Sequence, residues 1–292
     1  MVSPLKLYAN QNNMIDLGEM GLPEIPMLGQ HRLTTAHKGL GEHVHEGIVE
    51  ICYLASGMRT YHVDGKDFPF KGGELFVTFP GERHGSGGHV HGKGALFWIH
   101  VCCSPVPKSF LGLKAKDHVP LLRSLENLPR RWFSGDQRFQ TLMERLFQLH
   151  RDREKDPLAR LEAISSLIEL LTLVVRWSSV SKDSTLSSLM EESVAYIRSN
   201  VRENVSIEGL AERGGLSLSR YKARFRDEVG VPPREFILRG KVTAAEELLR
   251  GSNLPITTIA HQLGFSSSQY FATVFKRFTN SSPSSLRTVR EG

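Results

Sequence analysis

Two stretches near the C-terminus decide the fold: SIEGLAERGGLSLSRYKARFRDEVGVPPREF (residues 206–236) and PITTIAHQLGFSSSQYFATVFKRFTNSSPSSL (residues 255–286). The second stretch repeats the first. Equivalent glycines, Gly215 and Gly264, lie 49 positions apart, and equivalent phenylalanines further on lie 50 positions apart, so one residue has been added in the turn region of the second copy. Internal self-similarity of this kind indicates a tandem of two small structural units.

Each copy contains the parts of a helix-turn-helix. A short amphipathic helix comes first, and a glycine (Gly215 or Gly264) follows at the turn, where it adopts a left-handed conformation without penalty. A serine (Ser217 or Ser267) then stands where the next helix begins, as an N-cap. In this motif the second helix enters the major groove of DNA. A longer helix over Lys241–Leu249 is expected to join the two units.

Length and composition describe an ordinary globular protein. The 292 residues predict two domains, and a formal charge of +6 is compatible with a polyanionic partner. The three cysteines, Cys52, Cys102 and Cys103, show no CxxC spacing and are expected to be small core residues in a reducing compartment. Neither a signal peptide nor an apolar run long enough for a bilayer is visible, so we expect a cytoplasmic protein without membrane contact.

The first third of the chain reads as strands. Segments such as Val49–Leu54, Leu75–Phe79 and Ala95–Val101 are short, rich in β-branched and aromatic residues, and separated by glycine-containing turns. Short strands at regular spacing over residues 30–104 favour a small barrel or sandwich. The predicted fold class is therefore α+β, with an N-terminal barrel followed by trailing helices and then an all-α domain.

The rest of the chain gives the domain boundaries. Residues 105–134 contain four prolines and are expected to be irregular, after which helices are predicted over residues 136–154 and from Pro157 to Trp177. The broad apolar stripe of the second helix can pack on the barrel or form a dimer contact, and we favour the dimer. The predicted domains are 1–104 (barrel), 105–180 (helical, dimerisation), 181–188 (linker) and 189–292 (DNA-binding).

The second repeat closely resembles the signature of AraC/XylS-type transcriptional regulators, through Ile256, Ile259-Ala260, Leu263-Gly264-Phe265, Tyr270-Phe271, Phe275-Lys276 and Pro283. The resemblance covers about residues 190–290 and implies two units that read adjacent major-groove segments. It also shows two departures, because the family often has arginine where this chain has Ala223 and Thr273. The DNA-contacting residues that it implies are Ser219, Arg220, Lys222, Arg226, Ser267, Ser268, Gln269, Thr273 and Lys276. We add Arg224, which replaces the usual apolar residue beside Phe225 and can supply a shifted arginine.

Four residues of the barrel resemble the two cupin motifs. His43-Val44-His45 is followed by Glu50, and His84 comes later, after a proline. On a strand, His43 and His45 would point to the same face. The AraC/XylS resemblance implies that His45, Glu50 and His84 line an effector pocket or the core and that no cofactor is required. His43 is an addition to the family pattern, and we predict that all four residues line the effector pocket. Three imidazoles and a carboxylate are also the donor set for a divalent transition metal. His100, in an apolar strand, is expected to be a core histidine.

These observations predict a DNA-binding transcriptional regulator rather than an enzyme, since no GxSxG, P-loop or GxGxxG motif is present. The expected partners are double-stranded DNA, a small-molecule effector such as a sugar or related metabolite, a second copy of the chain, and RNA polymerase if the protein activates. The alternative is a metal-dependent cupin enzyme or a metal sensor fused to a DNA-binding domain.

Overall fold

A computed structural model describes residues 12–180, 187–279 and 281–288 of the chain. The chain divides into two compact units between Ser184 and Thr185, and the short segments Leu33–Gly39 and His89–Lys93 are assigned to the second unit. The division falls within the predicted linker, of which residues 181–186 lie outside the described residues.

The strands of the first unit follow the β-branched and aromatic segments of the sequence. They are β1 (Asn12–Ile15), β2 (Met27–Leu33), β3 (Ile48–Ser56), β4 (Met58–Val63), β5 (Lys66–Lys71), β6 (Glu74–Thr78), β7 (His84–Gly85), β8 (Gly94–Cys102) and β9 (Trp132–Ser134). One sheet has the order β1–β2–β8–β3–β6–β9 and a smaller one the order β5–β4–β7. Strand β3 pairs antiparallel with both β6 and β8, which places it in the middle of the larger sheet.

The structure confirms the three quoted strand predictions and corrects others. The hairpin between β4 and β5 turns at Asp64 and Gly65, which both have positive φ (47° and 80°). Strands β1 and β9 lie outside the range predicted for strands. His43 and His45 do not lie on a regular strand, because their segment makes only one isolated bridge, between His43 and His84.

Three helices follow in the first unit: α1 (Ala115–Glu126), α2 (Gln137–Asp152) and α3 (Ala159–Ser179). Helices α2 and α3 match the two predicted helices, whereas α1 lies in the stretch predicted to be irregular. The apolar stripe of α3 packs mainly into the same core as the larger sheet, because its residues Leu167, Leu170 and Val174 are fully buried there. Most of the stripe is thus used within the unit, although Leu158 and Leu161 at the start of the helix are exposed.

The second unit contains the helices α4 (Ser188–Ser199), α5 (Ile207–Arg213), α6 (Leu218–Val229), α7 (Pro233–Gly251), α8 (Ile256–Gln262), α9 (Ser268–Thr279) and α10 (Pro283–Thr288). Helices α4, α5 and α6 bury one apolar cluster around Tyr221 and Phe225, and α8 and α9 bury another around Phe271 and Phe275. Helix α7 is longer than the predicted Lys241–Leu249 segment and contributes side chains to both clusters. These units confirm the predicted α+β fold class.

All three cysteines are free thiols; Cys52 and Cys103 are buried, as expected for core residues, whereas Cys102 is half-buried. None of the helices in the described part of the chain combines the length and the apolar character that a bilayer span requires.

Candidate DNA interface and effector site

The first helix-turn-helix is fixed by two serine caps and one glycine. The Ser206 hydroxyl accepts a hydrogen bond from the Gly209 backbone N–H at 3.0 Å and so begins α5. Gly215 then turns the chain with φ 63°. The Ser217 hydroxyl accepts from the Arg220 N–H at 3.4 Å and begins α6. Both predicted features of this turn, the left-handed glycine and the serine N-cap, are confirmed.

The second helix-turn-helix uses the same devices. Gly264 has φ 64°, and the Ser267 hydroxyl accepts a hydrogen bond from the Tyr270 N–H at 3.1 Å at the start of α9. No side chain caps α8, which begins after Pro255. The two units therefore share the turn and the cap of the second helix, although their first helices begin differently.

Helices α6 and α9 each bury one face and expose the other. Tyr221 and Phe225 of α6, like Phe271 and Phe275 of α9, are fully buried. Nine of the ten residues predicted to contact DNA are exposed, and Ser268 is half-buried. The exposed ones are Ser219, Arg220, Lys222, Arg224, Arg226, Ser267, Gln269, Thr273 and Lys276.

Arg224 makes a close ion pair within the second unit, whereas Arg226 lies 3.7 Å from its exposed neighbour Asp227. Arg224 Nε donates to Glu228 Oε1 at 2.7 Å, and the same carboxylate accepts hydrogen bonds from the backbone N–H and the hydroxyl of Ser187. Partial burial would raise the pKa of Glu228, but hydrogen bonds from Arg224 and Ser187 hold it below its ordinary value. Glu228 therefore ties α6 to the start of α4 through Ser187, and Arg224 serves this structural contact in the DNA-free protein.

The four predicted barrel residues come together in the first unit. His43 and His84 exchange backbone hydrogen bonds of 2.9 and 3.0 Å, which brings their rings to a centroid separation of 4.2 Å. The rings of His43 and His45 are 4.8 Å apart, and those of His45 and His84 are 5.3 Å apart. One ligand atom from each of His43, His45, Glu50 and His84 lies within 4.8 Å of all the others. The sequence prediction thus identified residues that the fold clusters.

Glu50 is the buried charge of this cluster. It is 2% exposed, and its carboxylate lies 3.0 Å from His84 Nε2 and 3.3 Å from His100 Nε2. The contact with His84 has the distance but not the geometry of a hydrogen bond, so we describe it as electrostatic. Burial would raise the pKa of Glu50, but the imidazoles of His100 and His84 hold it well below its ordinary value.

The histidines respond to burial and to Glu50 in different ways. Burial is the main cause that lowers the pKa of His43, and it lowers the pKa of His45 to about 4. Burial also lowers the pKa of His84, but the adjacent Glu50 carboxylate outweighs it and the net shift is upward. At neutral pH, His43 and His45 are therefore neutral imidazoles, whose ring nitrogens can accept a hydrogen bond or bind a cation.

His100 also belongs to this cluster, although the sequence predicted only a core histidine. It is 3% exposed, as expected, but its ring lies 4.5 Å from that of His45 and its Nε2 contacts Glu50. His100 and Glu50 are directly opposite each other on the neighbouring strands β8 and β3. A polar residue at an inward position of each of two apolar strands was the signal that could have connected them.

Comparison with known proteins is consistent with both units. The family model described as an AraC-like ligand binding domain matches residues 28–171, and a helix-turn-helix domain model matches residues 210–288. The chain belongs to the AraC family of transcriptional regulators. The family resemblance predicted from the second repeat is confirmed. The chain combines a ligand-binding domain with a DNA-binding domain.

Individual relatives of this AraC-family regulator include the HTH-type transcriptional activator RhaS of Escherichia coli O139:H28, which is 27% identical over 254 residues, covering 86% of this chain and 88% of RhaS. Among solved structures, the C-terminal domain of AraT, a response regulator from Geobacillus stearothermophilus, is 27% identical and covers 36% of this chain and 88% of its own, with a TM-score of 0.34. The DNA-binding domain of AdpA in complex with a target DNA is 29% identical over 35% of this chain and 93% of its own, also with a TM-score of 0.34.

Proposed function

We propose that this AraC-family regulator binds double-stranded DNA sequence-specifically through the exposed faces of α6 and α9, under the control of a small-molecule effector bound in the first unit. The observation that carries the DNA half of the proposal is the repeated geometry of the two helix-turn-helix units. In each, a serine-capped second helix is fixed by buried aromatic side chains and presents a polar face. Such helices enter the major groove.

The two faces have different chemistry and suit different contacts. Helix α6 exposes the cations Arg220, Lys222 and Arg226, which favours charge-assisted contacts with phosphates and guanines. Helix α9 exposes Gln269, whose amide can pair with two groups of adenine, and only one cation among its predicted contacts, Lys276. We propose that α6 supplies most of the electrostatic affinity and α9 the finer base discrimination.

The effector half of the proposal rests on the match of residues 28–171 to an AraC-like ligand binding domain. We propose a sugar or related polar metabolite as the effector, next to His43 and His45, whose side chains are half-buried. The protein acts in the cytoplasm, as a homodimer, by binding rather than by catalysis. Because RhaS is named a transcriptional activator, activation through RNA polymerase is the proposed mode of regulation.

In vitro selection of DNA by the full-length protein tests the first half. We expect a reproducible sequence whose duplex binds at least ~1,000-fold more tightly than a scrambled duplex at the same salt concentration. Equal affinity for the two duplexes would exclude sequence-specific binding.

A panel of sugars and polar metabolites, followed by melting temperature and then by affinity for the selected duplex, tests the second half. A compound that binds the folded state raises the melting temperature. By linkage, an effector that controls DNA binding must also change the affinity for the selected duplex. A compound that stabilises the protein but changes neither duplex affinity nor transcription binds without controlling the protein. If every compound that binds behaves in this way, the effector proposal is overturned.

A further inference from the structure

The histidine cluster of the first unit contains three ring nitrogens that lack a hydrogen-bond partner. These are the Nε2 atoms of His43, His45 and His84, and all three are buried; His84 Nε2 has the electrostatic contact with Glu50 but no hydrogen bond. A buried polar atom without a partner is unfavourable, and in native proteins it usually indicates a water, an ion or a functional role. Three such atoms from neighbouring rings indicate one common ligand rather than three separate defects.

The opposite nitrogens of two of these rings fix their chemical form. His43 Nδ1 lies 2.9 Å from the Gly41 carbonyl oxygen, and His84 Nδ1 lies 2.9 Å from the Glu82 carbonyl oxygen. A carbonyl can only accept, so each Nδ1 carries the proton and donates it. Once it carries no proton, the Nε2 atom of each ring presents its lone pair towards the cluster. This is the arrangement by which proteins orient histidines that bind metal ions.

The carboxylate of Glu50 completes the donor set and has its own supports. Thr78 Oγ1 donates to Glu50 Oε2 at 3.3 Å, and His100 Nε2 lies 3.3 Å from Oε1. These two contacts hold the carboxylate in position. Glu50 does not partner His43 or His45, whose Nε2 atoms remain without a hydrogen-bond partner.

The spacing suits a single ion. The ligand atoms of the four residues all lie within 4.8 Å of one another. Metal–nitrogen and metal–oxygen bonds are roughly 2.0–2.2 Å long, so ligand atoms on opposite sides of an ion are separated by about twice that distance. Small shifts of the side chains would bring all four ligand atoms into contact with one centre. The three ring centroids are 4.2–5.3 Å apart, so a ligand shared by their Nε2 atoms has the size of an ion.

We infer that His43, His45, Glu50 and His84 bind one divalent transition-metal ion, with three imidazole nitrogens and one carboxylate oxygen as ligands. Imidazole donors favour zinc, iron, cobalt, nickel or copper over magnesium and calcium, which prefer sites made of oxygen alone. His100 and Thr78 are positioning residues that act through Glu50. This metal site goes beyond the proposed function and does not depend on it, because metal binding is measured without DNA or an organic effector.

Titration of the full-length protein with metal tests the inference. After treatment with a chelator and removal of the chelator, the protein is titrated with Co²⁺, followed by its visible absorption, and with Zn²⁺, followed by calorimetry. We expect one ion per chain, nitrogen-ligated Co²⁺ bands, and a rise in the melting temperature of the first unit. No saturable binding of either ion to folded wild-type protein would overturn the inference.

Variants show whether the predicted ligands are used. His84→Gln and His43→Gln should each weaken Zn²⁺ binding at least ~100-fold, and the positioning variant His100→Gln ~10–100-fold with the stoichiometry retained. His62→Gln is the matched control, since His62 is a barrel histidine paired with Asp67 instead, and it should bind like wild type. If His84→Gln fails to fold, the half-buried His43 provides the measurement. Unchanged affinity in the folded ligand variants would overturn the assignment.

Discussion

Gln269 and Lys276 lie on the same exposed face of α9 but can make different contacts with DNA. The glutamine amide can donate to and accept from one base edge, whereas the lysine ammonium is a point charge suited to phosphate. We therefore predict that Gln269→Ala weakens binding to the selected duplex by ~1–3 kcal/mol and relaxes preference at one or two base pairs. Lys276→Ala should weaken binding to all duplexes alike and reduce the salt dependence by about one ion.

Anisotropy measured with the selected and single-substituted duplexes at several salt concentrations separates the two effects. Lys155→Ala removes an equally exposed lysine from the first unit and is the control for Lys276→Ala. If Gln269→Ala keeps the wild-type base preference at every position, the predicted register of α9 on DNA is wrong.

Glycine is required at position 29 because a neighbouring side chain lies close, not because of the backbone conformation. A Cβ atom added at Gly29 would lie 2.0 Å from the ring of Trp98, which is 2% exposed and packs in the core of the barrel. A core that is already filled can accommodate the methyl group only by displacing the indole. We predict that Gly29→Ala destabilises the first unit by ~1–3 kcal/mol.

Urea denaturation followed by tryptophan fluorescence measures this change, because all three tryptophans (Trp98, Trp132 and Trp177) belong to the first unit. Gly41→Ala is the matched control, since nothing lies within 4 Å of the Cβ position at Gly41. Equal unfolding midpoints for the two variants would show that the Trp98 ring moves aside without penalty.

At the scale of elements, prediction from the sequence succeeded where one local signal was strong. Helices α6 and α9 have serine caps, preceding left-handed glycines and regular apolar spacing, and all of these were visible in the sequence. Helix α1 was missed because four prolines in residues 105–134 argue against regular structure. The structure places Pro120 inside α1, where burial of Leu122 and Leu125 compensates for the lost backbone hydrogen bond.

The candidate site in the barrel was only partly predictable for a different reason. The HxH and glutamate spacing identified His43, His45 and Glu50, because this spacing is local in the sequence. The later motif identified His84. The contact of Glu50 with His100 depends on the register between β3 and β8. This register pairs residues that are 50 positions apart in the sequence. Local patterns do not determine such pairing, so the support of the carboxylate could be seen only in the folded chain.

The N-cap of α5 offers a test at the element scale. Ser206 satisfies the Gly209 N–H, one of the backbone donors that have no partner within the helix. We predict that Ser206→Ala lowers the stability of the second unit by ~1 kcal/mol, because this donor loses its partner. Far-UV circular dichroism during urea denaturation reports the loss, while the tryptophan transition of the first unit should not move.

Ser219→Ala is the control for this variant, since it replaces an exposed serine after the cap of α6 in the same unit. We expect Ser219→Ala to be neutral or slightly stabilising, because alanine favours helix interiors. Two equally destabilised variants would contradict the capping explanation.

At the scale of the whole molecule, two units with separate cores divide the work. The first has the apolar core shared by its larger sheet and the helices α2 and α3, and the second has its own clusters around α6 and α9. Each unit can therefore bind its own ligand with its own fixed geometry. For the first unit to control the second, effector binding must change the placement or the mobility of the DNA-binding units. In an assembly of two chains, such a change has the greatest effect on a DNA site with two half-sites.

Dimerisation is the prediction that belongs to this scale. At the start of α3, Leu158 is 56% exposed and Leu161 is 63% exposed, although the rest of the apolar stripe is mainly buried. Two exposed leucines on one turn are candidates for the centre of a subunit contact, where a charged residue would be desolvated without a partner. We predict that wild-type protein sediments as a dimer, that Leu161→Asp sediments as a monomer, and that Lys155→Asp, an exposed control nearby, remains dimeric.

Because a dimer engages both half-sites at once, Leu161→Asp should also lose affinity for a two-half-site duplex while keeping its affinity for a single half-site. A monomeric wild-type protein that still binds both half-sites cooperatively would place the contact on the DNA-binding unit instead of on α3.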